Sequence, residues 1–387
     1  MIKLPVLPRP DRRTVLAAAA GLVLGPRPSR AATPRPLRLL APAAYGDDTF
    51  LSILGKHVGT GFELDPLATD DDALAPLRPL GPAATAAARR ARPALAVTAH
   101  PWPRGILWPE GVIAPLAKQV SPTTTELAPG LVPSLATLET GLEGRYFLGR
   151  GLRFDLAAMI VDRRRVSVDA VGDLGLGLLD DPVLRGRYAL VADPRSLLAT
   201  AMLYAGLDPF RLQRPSELRR LEPALHQLVS RAGMIARTPA EAIAAIVDGK
   251  VDLALPLGLG ASAPARLQGH GHLAAALPRV GPLGGRAAFY WVEIMTVVAQ
   301  APAEAAKAMA VADEAEAMLA LTRSGGGLHP VASLADPAIA GRLTAAERAA
   351  LDLELWPGLL AGCAAMGLMP ERTRLAPLLD QALSEAK

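Results

Sequence analysis

Cysteine is almost missing from this sequence: Cys363 is the single one in 387 residues. No intrachain disulfide can form, even in an oxidising compartment. Its Ala-rich setting, Leu359 to Met369, predicts a small buried core residue rather than a nucleophile. Lysine is scarce too, 6 against 35 arginines, and aromatic residues make up only 4%. With abundant alanine, this reads as the bias of a GC-rich genome, not as a nucleic-acid-binding surface. Charged residues are 20% and hydrophobic ones 51%, which excludes disorder over most of the chain. Past the N-terminal segment, no stretch reaches the ~18 consecutive apolar residues of a membrane span. Catalytic signatures are also lacking. There is no phosphate-cradling loop and no Gly-x-Ser-x-Gly elbow. The Gly149/Gly151 and Gly175/Gly177 pairs lack the third glycine of a dinucleotide site. His270-Gly271-His272 has no further ligand near it in sequence. No catalytic residue, metal or cofactor is expected.

The formal net charge of +4 and pI near 9.4 would suggest an anionic partner. Yet residues 1–31 carry six cations and one anion, which leaves the rest at −1. Those residues read as an export signal. A basic, Pro-rich start precedes the ten-residue apolar run Val15–Leu24, and Ser29 and Ala31 supply the small residues that a signal peptidase reads. Arg12-Arg13 followed by Thr14, Val15 and Leu16 resembles a twin-arginine (Tat) signal; a Sec signal with a chance arginine pair is the alternative. The mature chain is expected to start near Ala32, in the periplasm and without an anchor.

The length predicts two globular units, at ~100–200 residues per domain. Short apolar strands are expected at Leu37–Leu40, Ala94–Thr98, Ala157–Val161, Tyr188–Ala192, Val251–Leu255 and Phe289–Val298. Helices are expected between them. One starts at Asp193-Pro194 and covers Leu197–Leu207; one spans Ser216–Arg231, with Pro223 inside. Another runs from Thr238-Pro239 to Gly249, and a long one covers Pro302–Leu321. The remainder, Thr344–Lys387, reads as mostly helical. Strands alternating with helices of ten or more residues mean an α/β fold with mostly parallel sheets.

Two acidic residues sit in unusual places. In Tyr290-Trp291-Val292-Glu293-Ile294, strand alternation puts Trp291 and Glu293 on one face. A carboxylate beside an indole suits an amine, through ion pairing and cation–π attraction. The bland alternative is a solvent-facing Glu293, or one paired with an arginine such as Arg286. Asp193 is a helix N-cap on bare physics, but it also lies at the carboxyl end of a parallel strand, where open α/β sheets bind ligands.

At these residues the sequence resembles the periplasmic substrate-binding proteins of ABC importers, in the spermidine/putrescine-binding branch. The clearest stretch is Gly186-Arg187-Tyr188-Ala189-Leu190-Val191-Ala192-Asp193-Pro194-Arg195, running into a helix that ends at Gly206. Asp173-Leu174, Gly249-Lys250-Val251-Asp252, Tyr290-Trp291-Val292-Glu293 and Gly111-Val112-Ile113 follow the family's order and spacing. The resemblance implies a two-lobed, type II-like periplasmic-binding-protein fold with hinge crossover strands. Lobe 1 would comprise 32–157 and 294–340, and lobe 2 158–293 and 341–387. It places Asp193, Trp291 and Glu293 in the cleft, with Tyr45 and Trp102 as first-lobe aromatics. The implied function is capture of a small organic solute, an amine among the candidates, for an inner-membrane ABC permease, by a monomer with no nucleic-acid partner. The departures matter. Pro42-Ala43-Ala44-Tyr45 stands for the family's Trp-(Thr/Ser)-Glu-Tyr, Ser196 for a glutamate and Leu257 for a tryptophan. Two carboxylates and two indoles are thus absent, which disfavours a linear polyamine, because each unpaired buried charge is costly. A degenerate sensor or scaffold, and an exported enzyme on the same lobes, are the alternative functions.

Overall fold

The computed structural model describes residues 35–385 except 82, 117–136, 141–143, 194–195, 313 and 335. The expected export signal, 1–31, lies outside the described residues. In chain order the strands are β1 (Leu37–Ala41), β2 (Phe62–Pro66), β3 (Leu95–Ala99), β4 (Ile113–Ala114), β5 (Thr137–Thr140), β6 (Gly144–Phe147) and β7 (Arg150–Leu156). They continue with β8 (Ala158–Asp162), β9 (Tyr188–Val191), β10 (Met234–Ala236), β11 (Leu253–Leu257), β12 (Leu273–Ala276), β13 (Ala288–Val298) and β14 (Cys363–Ala365).

Two larger sheets result. The first has the order β14-β13-β3-β1-β2, with β4 and β7 also on β13; the second has the order β10-β9-β11-β8-β12. The helix-connected pairs β1/β2, β1/β3, β9/β10 and β9/β11 are parallel. Antiparallel pairs are made by β8 with β11 and β12, and by β13 with β3, β4 and β7. β5 and β6 form a separate hairpin. Every residue of β3, β8, β9, β11 and β13 is buried, which is why these strands read as continuous apolar runs. The chain passes from the first sheet to the second at Ala157, the single residue between β7 and β8, and returns before β13.

The helices follow their caps. Thr238 accepts the Glu241 N–H at 3.2 Å and Pro239 occupies the first helical turn, so Pro239–Val247 starts as expected. The Ser216–Arg231 expectation becomes two helices, Pro215–Leu218 and Leu221–Ser230; the break precedes Pro223, which then sits within the first turn of the second. The long Pro302–Leu321 helix is likewise two, Ala303–Val311 and Ala315–Thr322, both packed on the helix Asp48–Val58. Cys363 is buried as expected, but within β14 and beside β13 rather than in a helix.

The expected lobe boundaries need two corrections. The break between Glu293 and Ile294 would cut β13, which bonds to β7, β3 and β14 of the first sheet along its length. The tail 341–387 is also divided: β14 completes the first sheet, while the helix Arg372–Glu385 packs on Leu221–Ser230 and Leu197–Tyr204, beside the second sheet. No helix among the described residues is long and apolar enough to cross a membrane.

Candidate functional site

A cavity of about 250 Å³ opens between the two sheets. Its first-sheet wall is Asp155 and Trp291. These are direct cross-strand partners on β7 and β13, so their side chains share one face. Its second-sheet wall comes from the carboxyl ends of β9 and β11, with Val191, Asp193 and Ser196 after one and Leu257 and Gly258 at the other. Arg237 stands at the rim with its side chain 89% exposed. Carboxyl ends of parallel strands are where open α/β sheets place ligands. The volume falls just below the ~300–1,000 Å³ usual for ligand pockets, so a compact occupant is indicated.

Asp193 and Trp291 both line this cavity. Asp193 is not the N-cap in the form expected. The helix starts at Leu197 after Ser196, and Asp193 Oδ2 accepts the Ser196 N–H at 2.8 Å and the Ser196 hydroxyl as well. It therefore still satisfies a donor at the helix start while facing the cavity.

Glu293, Tyr45 and Trp102 are not among the residues that line this cavity. Glu293 is 8% exposed and its Oε2 is engaged inside the first lobe. It accepts from Tyr45 Oη at 2.8 Å and from Arg153 Nε at 3.2 Å. Its arginine is therefore Arg153, not Arg286. The Arg153 guanidinium also stands 4.4 Å from the Tyr45 ring centroid. Burial pushes the Tyr45 phenol well above its ordinary range, so it donates and does not ionise. The local cause is a register slip. Val292 faces Phe154 and Ile294 faces Gly151, so Leu152 and Arg153 together oppose Glu293. Such a bulge re-aims a side chain. Trp102 is buried in an apolar cluster with Phe289 and Leu198; it follows the end of β3 and does not reach the cavity. His100 is a buried structural residue: its Nδ1 accepts the Val292 N–H at 3.2 Å, and burial lowers its pKa to about 4.

Asp155 is the cavity residue that sequence reading missed. Its Oδ1 accepts the Leu156 N–H at 2.8 Å and, from the other side of the cleft, the Leu259 N–H at 2.7 Å. The carboxyl lies against Gly258 so closely that a Cβ there would fall 1.9 Å from Oδ2. Only glycine fits that approach. Burial raises the Asp155 pKa to about 7; the two N–H bonds act against this, and the Glu293 charge adds to it. The available signal was the pair of charged residues in phase, Arg153 and Asp155, within the stretch Gly151-Leu152-Arg153-Phe154-Asp155-Leu156.

No protein-family model matches the sequence, and a search of curated proteins finds no match. Solved structures do match. A spermidine/putrescine ABC transporter substrate-binding protein, PotD, from Streptococcus pneumoniae aligns with TM-score 0.63 and 12% identity, over 91% of this chain and 100% of that one. The Atu4243–GABA receptor aligns with TM-score 0.60 and 12% identity, over 91% and 98%. The binding protein MotA from A. tumefaciens B6, in complex with glucopine, aligns with TM-score 0.56 and 13% identity, over 91% and 99%. The fold of this chain is thus the two-lobed, type II fold of periplasmic binding proteins.

Proposed function

We propose that this chain is an exported, non-enzymatic solute-binding protein that captures a compact, singly charged amine between its lobes and delivers it to an inner-membrane ABC permease. The observation that carries this reading is the cavity itself, which Asp155, Asp193 and Trp291 line together at the junction of the two sheets. An ammonium group there gains a carboxylate and an aromatic face together. Three of the neighbours are named for spermidine/putrescine, GABA and glucopine, and another is an iron-bound protein, HitA from Pseudomonas aeruginosa. A long polyamine suits this chain poorly, because the cavity is small and Glu293 is already neutralised by Arg153. The first lobe in this reading is the first sheet with its helices, and the second lobe is the second sheet with the C-terminal helix. The protein works as a monomer in the periplasm and has no nucleic-acid partner.

The test is native purification followed by mass spectrometry of any retained solute. Adding that solute back should reduce the radius of gyration in small-angle scattering, as a closing two-lobed clamp requires. In calorimetry, Asp193→Asn should weaken its binding by roughly thirty-fold to over a thousand-fold, since loss of one partner of a desolvated charge pair costs about 2–5 kcal/mol. The melting temperature should hold, because Asn can accept the same Ser196 N–H. Unchanged affinity would remove Asp193 from the ligand site.

Export is tested separately. Changing Arg12 and Arg13 together to Lys should leave the precursor in the cytoplasm, as seen by fractionation. Normal export of that variant would establish the Sec route instead.

A further inference from the structure

Next to the cleft, the first lobe contains a second arrangement with the parts of a cation site, and it is filled from within. The carboxylate of Glu293 and the ring of Tyr45 converge on one guanidinium, that of Arg153, by an ion pair at 3.2 Å and a cation–π contact at 4.4 Å. The Tyr45 hydroxyl completes the arrangement through its 2.8 Å bond to the same carboxylate oxygen. All three residues are buried. A carboxylate with an aromatic face is the pairing that recognises guanidinium and ammonium groups.

Stability alone does not account for it. A buried ion pair gains little over well-packed apolar residues of similar volume, and this one packs against the aliphatic and aromatic cluster that includes Tyr45. Placement is the second observation. Arg153 is two residues from Asp155 on β7, and Glu293 is two residues from Trp291 on β13, while Asp155 and Trp291 face each other across those strands. The filled cage is therefore the next pair along from the cleft wall. The bulge opposite Glu293 aims Arg153 into it.

We propose that the Tyr45–Glu293 cage is a cation subsite adjoining the cleft, closed by Arg153 acting as a tethered ligand. Among the described residues, the cavity lined by Asp155, Asp193 and Trp291 then remains for one cationic end of a solute. This deepens the solute-binding reading by limiting the substrate to a singly charged amine, and removal of the Arg153 side chain converts the cage into an open guanidinium site.

The experiment uses the full mature chain and methylguanidinium as probe, at concentrations far below denaturing, with sodium chloride as the control. Arg153→Ala should show a saturable rise in melting temperature with methylguanidinium, by several degrees, and the wild type should not. Recovery of soluble Arg153→Ala only when methylguanidinium is present during refolding counts as the same result. The proposal is overturned if melting and recovery of Arg153→Ala respond to the probe no more than to sodium chloride, or if the wild type responds equally. The double variant Arg153→Ala/Glu293→Gln removes both charges, so it is the arm that folds without rescue; it should lose the response. A retained response there would place the probe elsewhere and also overturn the proposal. None of these readouts involves the cleft solute, so their failure leaves the solute-binding reading standing, and failure of that reading leaves these readouts intact.

Discussion

Glu293→Gln should destabilise the folded chain by about 3–5 kcal/mol, the usual result of removing one partner from a buried ion pair. Gln retains the shape and can still accept from the Tyr45 hydroxyl. It does not retain the charge, and Arg153 is then left buried with its guanidinium uncompensated. The Ser324 hydroxyl, 3.4 Å from an Arg153 Nη, carries no charge to replace it. Urea denaturation at pH 7 measures the effect. Tyr45→Phe is the milder comparison; it removes one hydrogen bond to the same oxygen, at about 1–3 kcal/mol with the acceptor left buried. A cycle that includes Arg153→Met should show strong coupling, because the double variant has no orphaned charge. A loss below about 1 kcal/mol for Glu293→Gln would mean that the pair is not desolvated, and the filled-cage account would go with it. Read from its strand alone, the same substitution would be expected to weaken ligand binding. The structure moves its effect from affinity to stability.

How far the sequence could be read depended on whether each signal was local. β9, Asp193 and the helix after it are contiguous, so an apolar run, an acidic residue and a Pro announce a strand end facing a cleft. β13 is an eleven-residue buried strand, apolar apart from Glu293 and Thr296, and could hardly be missed. The phase of Trp291 and Glu293 along it followed from strand alternation alone. What lay beyond reach was the identity of the neighbour on that face. Arg153 and Glu293 are 140 residues apart, and the bulge that joins them leaves no mark in either segment. β7 went unread because its arginine and aspartate look like the polar half of a solvated strand. β14 is Cys363-Ala364-Ala365, with little intrinsic strand preference; it is a strand because β13 offers it a partner. The lobe boundary erred for the same reason, since long-range pairing decides which sheet receives a strand.

Asp155→Asn should flatten the stability–pH profile and raise stability at alkaline pH. The Asp155 pKa is raised to about 7 in the folded chain, chiefly by burial, against about 4 when unfolded. Between those values the folded chain keeps a proton that the unfolded chain has released. Stability from this group is thus complete below about pH 4, falls as pH rises through the window, and stays low above about pH 7. The loss should be on the order of 2 kcal/mol by pH 8, less than the full shift implies because the side chain is only half-buried. His100 and His329, both lowered to about 4, act with the opposite sign over an overlapping window, so the comparison must be variant against wild type. Asn has the same shape, and its carbonyl can accept from Leu156 and Leu259. Its neutrality removes the burial cost of a charge and the repulsion from Glu293, and gives up the smaller attraction to Arg153. Urea melts at pH 4, 5, 6, 7 and 8 should show the variant level with wild type at pH 4 and more stable at pH 8. The cleft solute supplies the matching arm: if it is a cation, wild-type affinity should fall below pH 7 as Asp155 protonates, and the variant should bind weakly at every pH. Parallel stability profiles for the two proteins would show that Asp155 is ionised throughout, and that its seat against Gly258 carries no desolvation cost.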